Sequence, residues 1–197
     1  DALADNAVVN ADVLSGSGHI TLKADDNIDL TAGVDVITAL PGTISLDAET
    51  GTLSMAGTSN VTAADSTTRL RADGDVTVGN VTATDVSIDS DSGSIVNAAG
   101  SSKNVTATNL RLQAQGSIGA SDRHLTTDID VVTAHAATGS IYLTEDDGVT
   151  VSSVRTEVTE FNSDATTTLM PDHAQSDLIT GENGNIVLVS TLADITL

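Results

Sequence analysis

Asn80-Val-Thr-Ala-Thr-Asp-Val-Ser-Ile88 is answered 24 residues later by Asn104-Val-Thr-Ala-Thr-Asn-Leu-Arg-Leu112, and Asn60-Val-Thr-Ala63 stands 20 residues before the first copy. Within each copy, aliphatic residues alternate with Thr, Ser, Asp or Arg over three to five residues, the two-residue period of a half-buried strand. No stretch of the chain carries a helical period. Strands this short cannot stand as isolated hairpins or as an open sheet. Repeated at a fixed interval, each can pair with its counterpart one repeat earlier and one later, so the fold class expected is an all-β, right-handed parallel β-helix.

Weaker copies extend the series to Asp35-Val-Ile-Thr-Ala39 and Asp130-Val-Val-Thr-Ala134. Aligned on Thr, the series runs 38, 62, 82, 106, 133. A coil of roughly 20–27 residues follows, with about eight coils over residues 1–197 and a rod about 40 Å long at ~4.8 Å per coil. Three short strands per coil are expected, as in Val81-Thr-Ala83, Val86-Ser-Ile88 and Ser94-Ile95. Gly51, Gly74, Gly93 and Gly116 precede the third strand, where positive φ at a turn would explain them. Gly139 either continues that series or opens a second strand. Asn60, Asn80 and Asn104 are placed to hydrogen-bond to one another along the rod. Residues 155–183, including Phe161, Met170, Pro171 and His173, break the pattern and are expected to be an irregular coil or loop excursion.

Composition narrows the reading further. Hydrophobic residues make up 39% of the chain but aromatics only 1%, so the core must be thin and built from stacked Val, Ile, Leu and Ala. A net charge of −21 argues against nucleic-acid partners, whose phosphates demand Lys and Arg. It argues equally against anionic membrane surfaces. No apolar run approaches 18 residues, so no membrane insertion is expected. Cysteine is absent, which removes disulfides and thiolate metal sites. The chain closes on Asp194-Ile-Thr-Leu197, a strand pattern without a cap, so flanking repeats of the same chain are expected beyond it.

Gly18-His-Ile-Thr-Leu-Lys-Ala-Asp-Asp-Asn-Ile-Asp-Leu30 and Asn109-Leu-Arg-Leu-Gln-Ala-Gln-Gly-Ser-Ile118 resemble the degenerate repeats of filamentous-haemagglutinin-like large exoproteins. The likeness covers most of residues 13–151. It implies a bacterial, secreted or outer-surface location and a role in adhesion or surface architecture. The partner it implies is a receptor or glycan on a host or neighbouring cell. The Gly-Gly-x-Gly-x-Asp nonapeptides of calcium-bound rolls do not occur.

Paired carboxylates raise a second reading, a carbohydrate-active β-helix enzyme of the lyase or hydrolase type. The pairs are Asp25/Asp26, Asp73/Asp75, Asp89/Asp91, Asp128/Asp130 and Glu145/Asp146/Asp147. Against it, the seven basic residues at 23, 69, 71, 103, 111, 123 and 155 are scattered, and aromatic sugar platforms are nearly missing. No catalytic or cofactor-binding residue is therefore assigned. Asp65, Asp85 and Asn109 fall three residues after the repeat Thr, which would stack them about 5 Å apart. They are solvated turn residues, or they bridge calcium in a calcium-stiffened spacer. Histidines 19, 124, 135 and 173 show no metal-ligand spacing. Thr82-Ala-Thr84 and Thr106-Ala-Thr108 read as a cross-strand Thr ladder rather than an ice-binding array. The Asn-Val-Thr triplets match the glycosylation sequon but are better explained by the repeat.

Overall fold

The computed structural model describes residues 5–181 and 183–197. Residues 1–4 and 182, which belong to the expected repeat segment and its 155–183 excursion, lie outside the described residues. The strands are β1 (Asn6–Val9), β2 (Val13–Leu14), β3 (Ile20–Ala24), β4 (Asn27–Leu30), β5 (Asp35–Ala39), β6 (Ile44–Ala48), β7 (Leu53–Met55), β8 (Asn60–Ala72), β9 (Val76–Val78) and β10 (Asn80–Ser90). They continue as β11 (Ile95–Asn97), β12 (Val105–Ala114), β13 (Leu125–Ala136), β14 (Ile141–Glu145), β15 (Val149–Val151), β16 (Glu157–Phe161), β17 (Thr167–Pro171), β18 (Leu178–Thr180), β19 (Ile186–Ser190) and β20 (Ile195–Thr196). No helix occurs among the described residues.

Nearly all pairing is parallel. One sheet runs β1-β4-β7-β9-β11, and a larger one follows the path β19-β14-β13-β12-β10-β8-β5-β2 with β3, β6, β15, β18 and β20 attached. Equivalent residues pair in register: Val61, Val81 and Val105 line one ladder, and Leu46, Leu70, Ile88 and Leu112 another. Ile95, Ile118 and Ile141 continue the ladder of the smaller sheet through single bridges. These inward aliphatics are at most 1% exposed. Each contributes about 1.5–3 kcal/mol by burial, and like stacks on like because the repeat fixes which face every residue takes.

Several expectations are corrected by the register. Three short strands stand apart in the coil of β5, β6 and β7, but from β8 to β13 the first two merge into one bent strand, as in β10, with an irregularity between Ala83 and Asp85 where the chain turns the corner. Thr62, Thr82 and Thr106 do align, but Ile37 rather than Thr38 opposes Thr62. Matching Val36 to Val61 in the core outweighs matching the threonines. Thr133 opposes Arg111, and Asp128 takes the place opposite Thr106. The glycines preceding the third strand are not at positive φ; among the described glycines only Gly33, Gly100 and Gly119 are. Close approach explains them instead. A Cβ on Gly74, Gly93, Gly116 or Gly139 would lie 2.6–3.1 Å from backbone atoms of the preceding glycine in the series. Gly139 thus continues that series, since Ile141 bridges Ile118.

The asparagines do not bond to each other. Asn60 Nδ2 donates to Asp35 Oδ1 at 2.7 Å, Asn80 Nδ2 to the carbonyls of Gly57 and Ser59, and buried Asn104 Nδ2 to the Val78 carbonyl. Asn104, at 0% exposure, is closed to glycosylation in the folded chain.

Within the 155–183 excursion the described residues include three strands, β16, β17 and β18. β16 and β17 form an antiparallel hairpin, and β18 returns to the large sheet. Val151 opposes Val132 and Leu178 opposes Ala134, so residues 152–177 are inserted where a single residue would face Thr133.

Candidate functional site

Where the long strands bend, their outward residues line a groove of about 470 Å³ formed by Thr62, Thr82, Thr84, Thr106, Thr108, Asp65, Asp128 and Asp130 with interspersed alanines. The alternation that buries Val61, Val81 and Val105 points the following Thr outward. The hydroxyls of these five threonines and the carboxylates of Asp65 and Asp130 have no hydrogen-bond or ion-pair partner among the described residues. Such a surface offers rows of donors and acceptors about 4.8 Å apart.

Asp65 and Asp85 do not share a rung. Asp85 opposes Thr67 on one side and Asn109 on the other, and Asn109 Nδ2 donates to Asp85 Oδ1 at 2.7 Å. Asp65 has left-handed φ of 57° at the corner, because β8 carries extra residues there. The expected calcium-bridging row of Asp65, Asp85 and Asn109 is therefore not assembled.

A different acidic group closes one end of the groove. Asp128, Glu145 and Asp147 bring one carboxylate oxygen each within 4.8 Å of one another. Glu145 is fully buried: Oε1 accepts from the Ile129 amide at 2.9 Å, and Oε2 accepts from the Thr127 hydroxyl. β14 ends opposite Thr127 and β15 resumes opposite Val131, so the Glu145 side chain satisfies an amide that no strand faces. Burial pushes its carboxyl above the ordinary glutamate range, and the hydrogen bonds from Thr127 and Ile129 oppose but do not cancel that. Lys103 Nζ reaches Asp128 at 2.8 Å and Asp146 at 2.5 Å, so one ammonium offsets part of the negative charge of this corner.

The third feature lies on the outer face of the other arm of the same strands. Two outward ladders run side by side: Thr21, Ser45, Arg69, Ser87, Arg111, Thr133, and Lys23, Asp47, Arg71, Asp89, Gln113, His135. Four of the seven basic residues, scattered in sequence, are brought together here. Carboxylates and guanidinium groups do converge on one face, the arrangement an enzyme would need, but the groups are engaged with one another and with the hairpin. Arg111 grips both Asp89 oxygens at 3.1 and 3.0 Å, and Arg71 bridges Asp47 (3.2 Å) and Asp91 (2.5 Å). Arg69 Nε reaches Asp172 at 3.1 Å. Burial raises the Asp89 carboxyl above its usual range despite Arg111. For Lys23, burial is outweighed by Glu160, Asp47 and Glu49 together, and its ammonium is held above the usual lysine range.

Most of the remaining candidates have structural partners. The Asp25 carbonyl accepts from Thr50, Asp73 accepts from Ser92, and Asp75 Oδ1 accepts from the Ser94 amide at 2.7 Å. His19 Nδ1 lies 2.9 Å from Thr43 Oγ1, and His124 Nδ1 lies 2.8 Å from Thr144 Oγ1. His135 stands in an outward ladder beside Gln113, and the His173 carbonyl accepts from Arg111 Nε. Aligning on the middle residue of the second strand would have found the arginine row: Arg69, Ser87 and Arg111 all sit between inward aliphatic or Thr positions. Glu160 and Asp172 carried no sequence signal, because they reach the row from an insertion outside the repeat.

No protein-family model matches this chain, and neither a curated protein nor a solved structure matches it.

Proposed function

We propose that the chain is a segment of right-handed parallel β-helix, about eight coils long, from a filamentous-haemagglutinin-like bacterial exoprotein. In that reading it is a stiff, non-catalytic rod at the outer surface, displaying the Thr/Asp groove to a receptor or glycan on a host or neighbouring cell. The parallel pairing of successive strands in the two larger sheets supports the coiled architecture. The observation that carries the binding role is the groove itself. Its five threonines and two of its aspartates are unpartnered among the described residues, whereas the convergent charged ladders are engaged internally.

An acidic groove without Lys or Arg favours neutral or cationic, hydroxyl-rich ligands and repels uronates. The test is binding of the purified chain to arrayed glycans and to intact cells, compared with Thr82→Val/Thr106→Val/Asp130→Asn. Binding that drops about tenfold or more in the variant supports the reading. Cleavage of a polysaccharide by the wild-type chain, or binding unchanged in the variant, overturns it. One observation favours calcium stiffening as a second reading: the Asp128/Glu145/Asp147 cluster. It requires a rise in melting temperature with millimolar calcium that Asp147→Asn abolishes, and an unchanged melting temperature would remove it.

A further inference from the structure

The inserted hairpin does not project away from the sheets. It runs back along the two charged ladders, crossing from the row where it is inserted to the first rows of the chain. Beside its point of insertion, Gln175 Nε2 donates to the Leu112 carbonyl at 2.9 Å, and Thr133 Oγ1 donates to the Asp177 carbonyl at 2.9 Å. Further along, the His173 carbonyl accepts from Arg111 Nε at 3.1 Å, and Asp172 pairs with Arg69. Glu160 accepts from Ser45 Oγ at 2.7 Å and lies 3.6 Å from both Lys23 Nζ and Arg69 Nη1. At the far end, Thr159 exchanges hydrogen bonds with Thr43, the Phe161 amide donates to Thr21 Oγ1 at 3.0 Å, and the Phe161 ring lies 6.0 Å from His19.

Charge matches along this path. The two ladders carry four cations (Lys23, Arg69, Arg71, Arg111) and two carboxylates (Asp47, Asp89), a balance of +2 within a chain of −21. Glu49 and Asp91, beside the ladders, pair with Lys23 and Arg71, and the insertion adds Glu160 and Asp172, 3% and 8% exposed, against Lys23 and Arg69. It touches rows far apart in sequence through side chains and backbone alike, and it is held at both ends by strands of the large sheet.

We propose that residues 152–177 are a latch that ties the amino-terminal rows β3 and β6 to the row of β13. In stacked strands each row is otherwise held only by its neighbours, so rows can open separately from one another. With the latch closed and held to Arg69 of β8 by Asp172, β3 and β6 cannot separate from the stack without also breaking the Glu160–Lys23 ion pair and the hydrogen bonds of Ser45, Thr43 and Thr21 to the insertion. Closure therefore couples the opening of the first rows to that of the latch.

The test is amide hydrogen exchange read by peptide in the full chain and two variants. In one, Glu160→Gln/Asp172→Asn, both carboxylates are neutralised at constant length. In the other, residues 152–177 are replaced by a single Thr, which fills the one row position they interrupt. Removing the partner of a buried charge is strongly destabilising, and about a hundredfold faster exchange in β3 and β6 is expected in both variants. Strands β10 and β12 should keep their protection. Unchanged protection of β3 and β6, with residues 162–166 exchanging faster in the substituted variant, would overturn the proposal. Equal loss of protection across all rows in both variants would also overturn it.

Discussion

Glu145 separates a hydrogen-bonding role from a charge role, because its two oxygens serve neutral donors while its charge is buried. Replacing it with Ala orphans the Ile129 amide, which no strand faces, at about 1–3 kcal/mol. The Thr127 hydroxyl loses less, since it can turn to the Thr144 carbonyl already 3.4 Å away. The lost γ-methylene adds about 0.8 kcal/mol, for a total of about 2–4 kcal/mol. Glu145→Gln keeps both bonds, with Oε1 accepting from Ile129 and Nε2 donating to Thr127, and removes the buried charge. Near pH 7 it should equal or exceed the wild type in urea denaturation followed by far-UV circular dichroism. The pH dependence follows from the raised pKa. Glu145's favourable contribution is complete below the ordinary glutamate value and is lost as pH rises through its folded value. The advantage of Gln over Glu should therefore grow from acid toward neutral pH. A Gln variant that loses as much as Ala at pH 7 would refute this account, showing that the negative charge itself is required, as it would be for a cation held with Asp128 and Asp147.

Two further outcomes test the ladders. Arg111→Ala leaves Asp89 buried without its counter-ion and should cost about 3–5 kcal/mol at pH 7 in urea denaturation. Because burial already raises Asp89, the loss should shrink as the pH falls and that carboxyl protonates; a loss that grows toward acid would contradict it. Leu70→Ala removes a side chain at 0% exposure between Leu46 and Ile88, and should lower stability by about 2–5 kcal/mol. A cost under 1 kcal/mol in the same assay would show that the aliphatic ladder is not the core.

The strand content and the inward set were legible in the sequence. Alternation in Val86-Ser-Ile88 and Leu110-Arg-Leu112 depends on local geometry alone, since successive side chains must face opposite ways. Register was legible where several inward residues matched at once, as between Asn60–Ala63, Asn80–Ala83 and Asn104–Ala107. It failed at Thr38 and Thr133, where a single Thr was aligned against the packing of Val36 and Ile129. Glycine placement was right and its reason wrong: a column of close backbone approaches is invisible until the rows are stacked.

Composition and repeat thus determined that this chain makes short stacked strands around a thin aliphatic core, because burial of alternate residues is a local rule applied again and again. Only the tertiary structure decided what the outward residues do. Arg69 and Arg111 meet Asp172 and Asp89, Glu145 finds an unfaced amide, and the groove's threonines are left unpartnered. The reason is that electrostatic and hydrogen-bonding partners are chosen by distance in space. An insertion that folds back over several rows sets those distances without any period that the sequence displays.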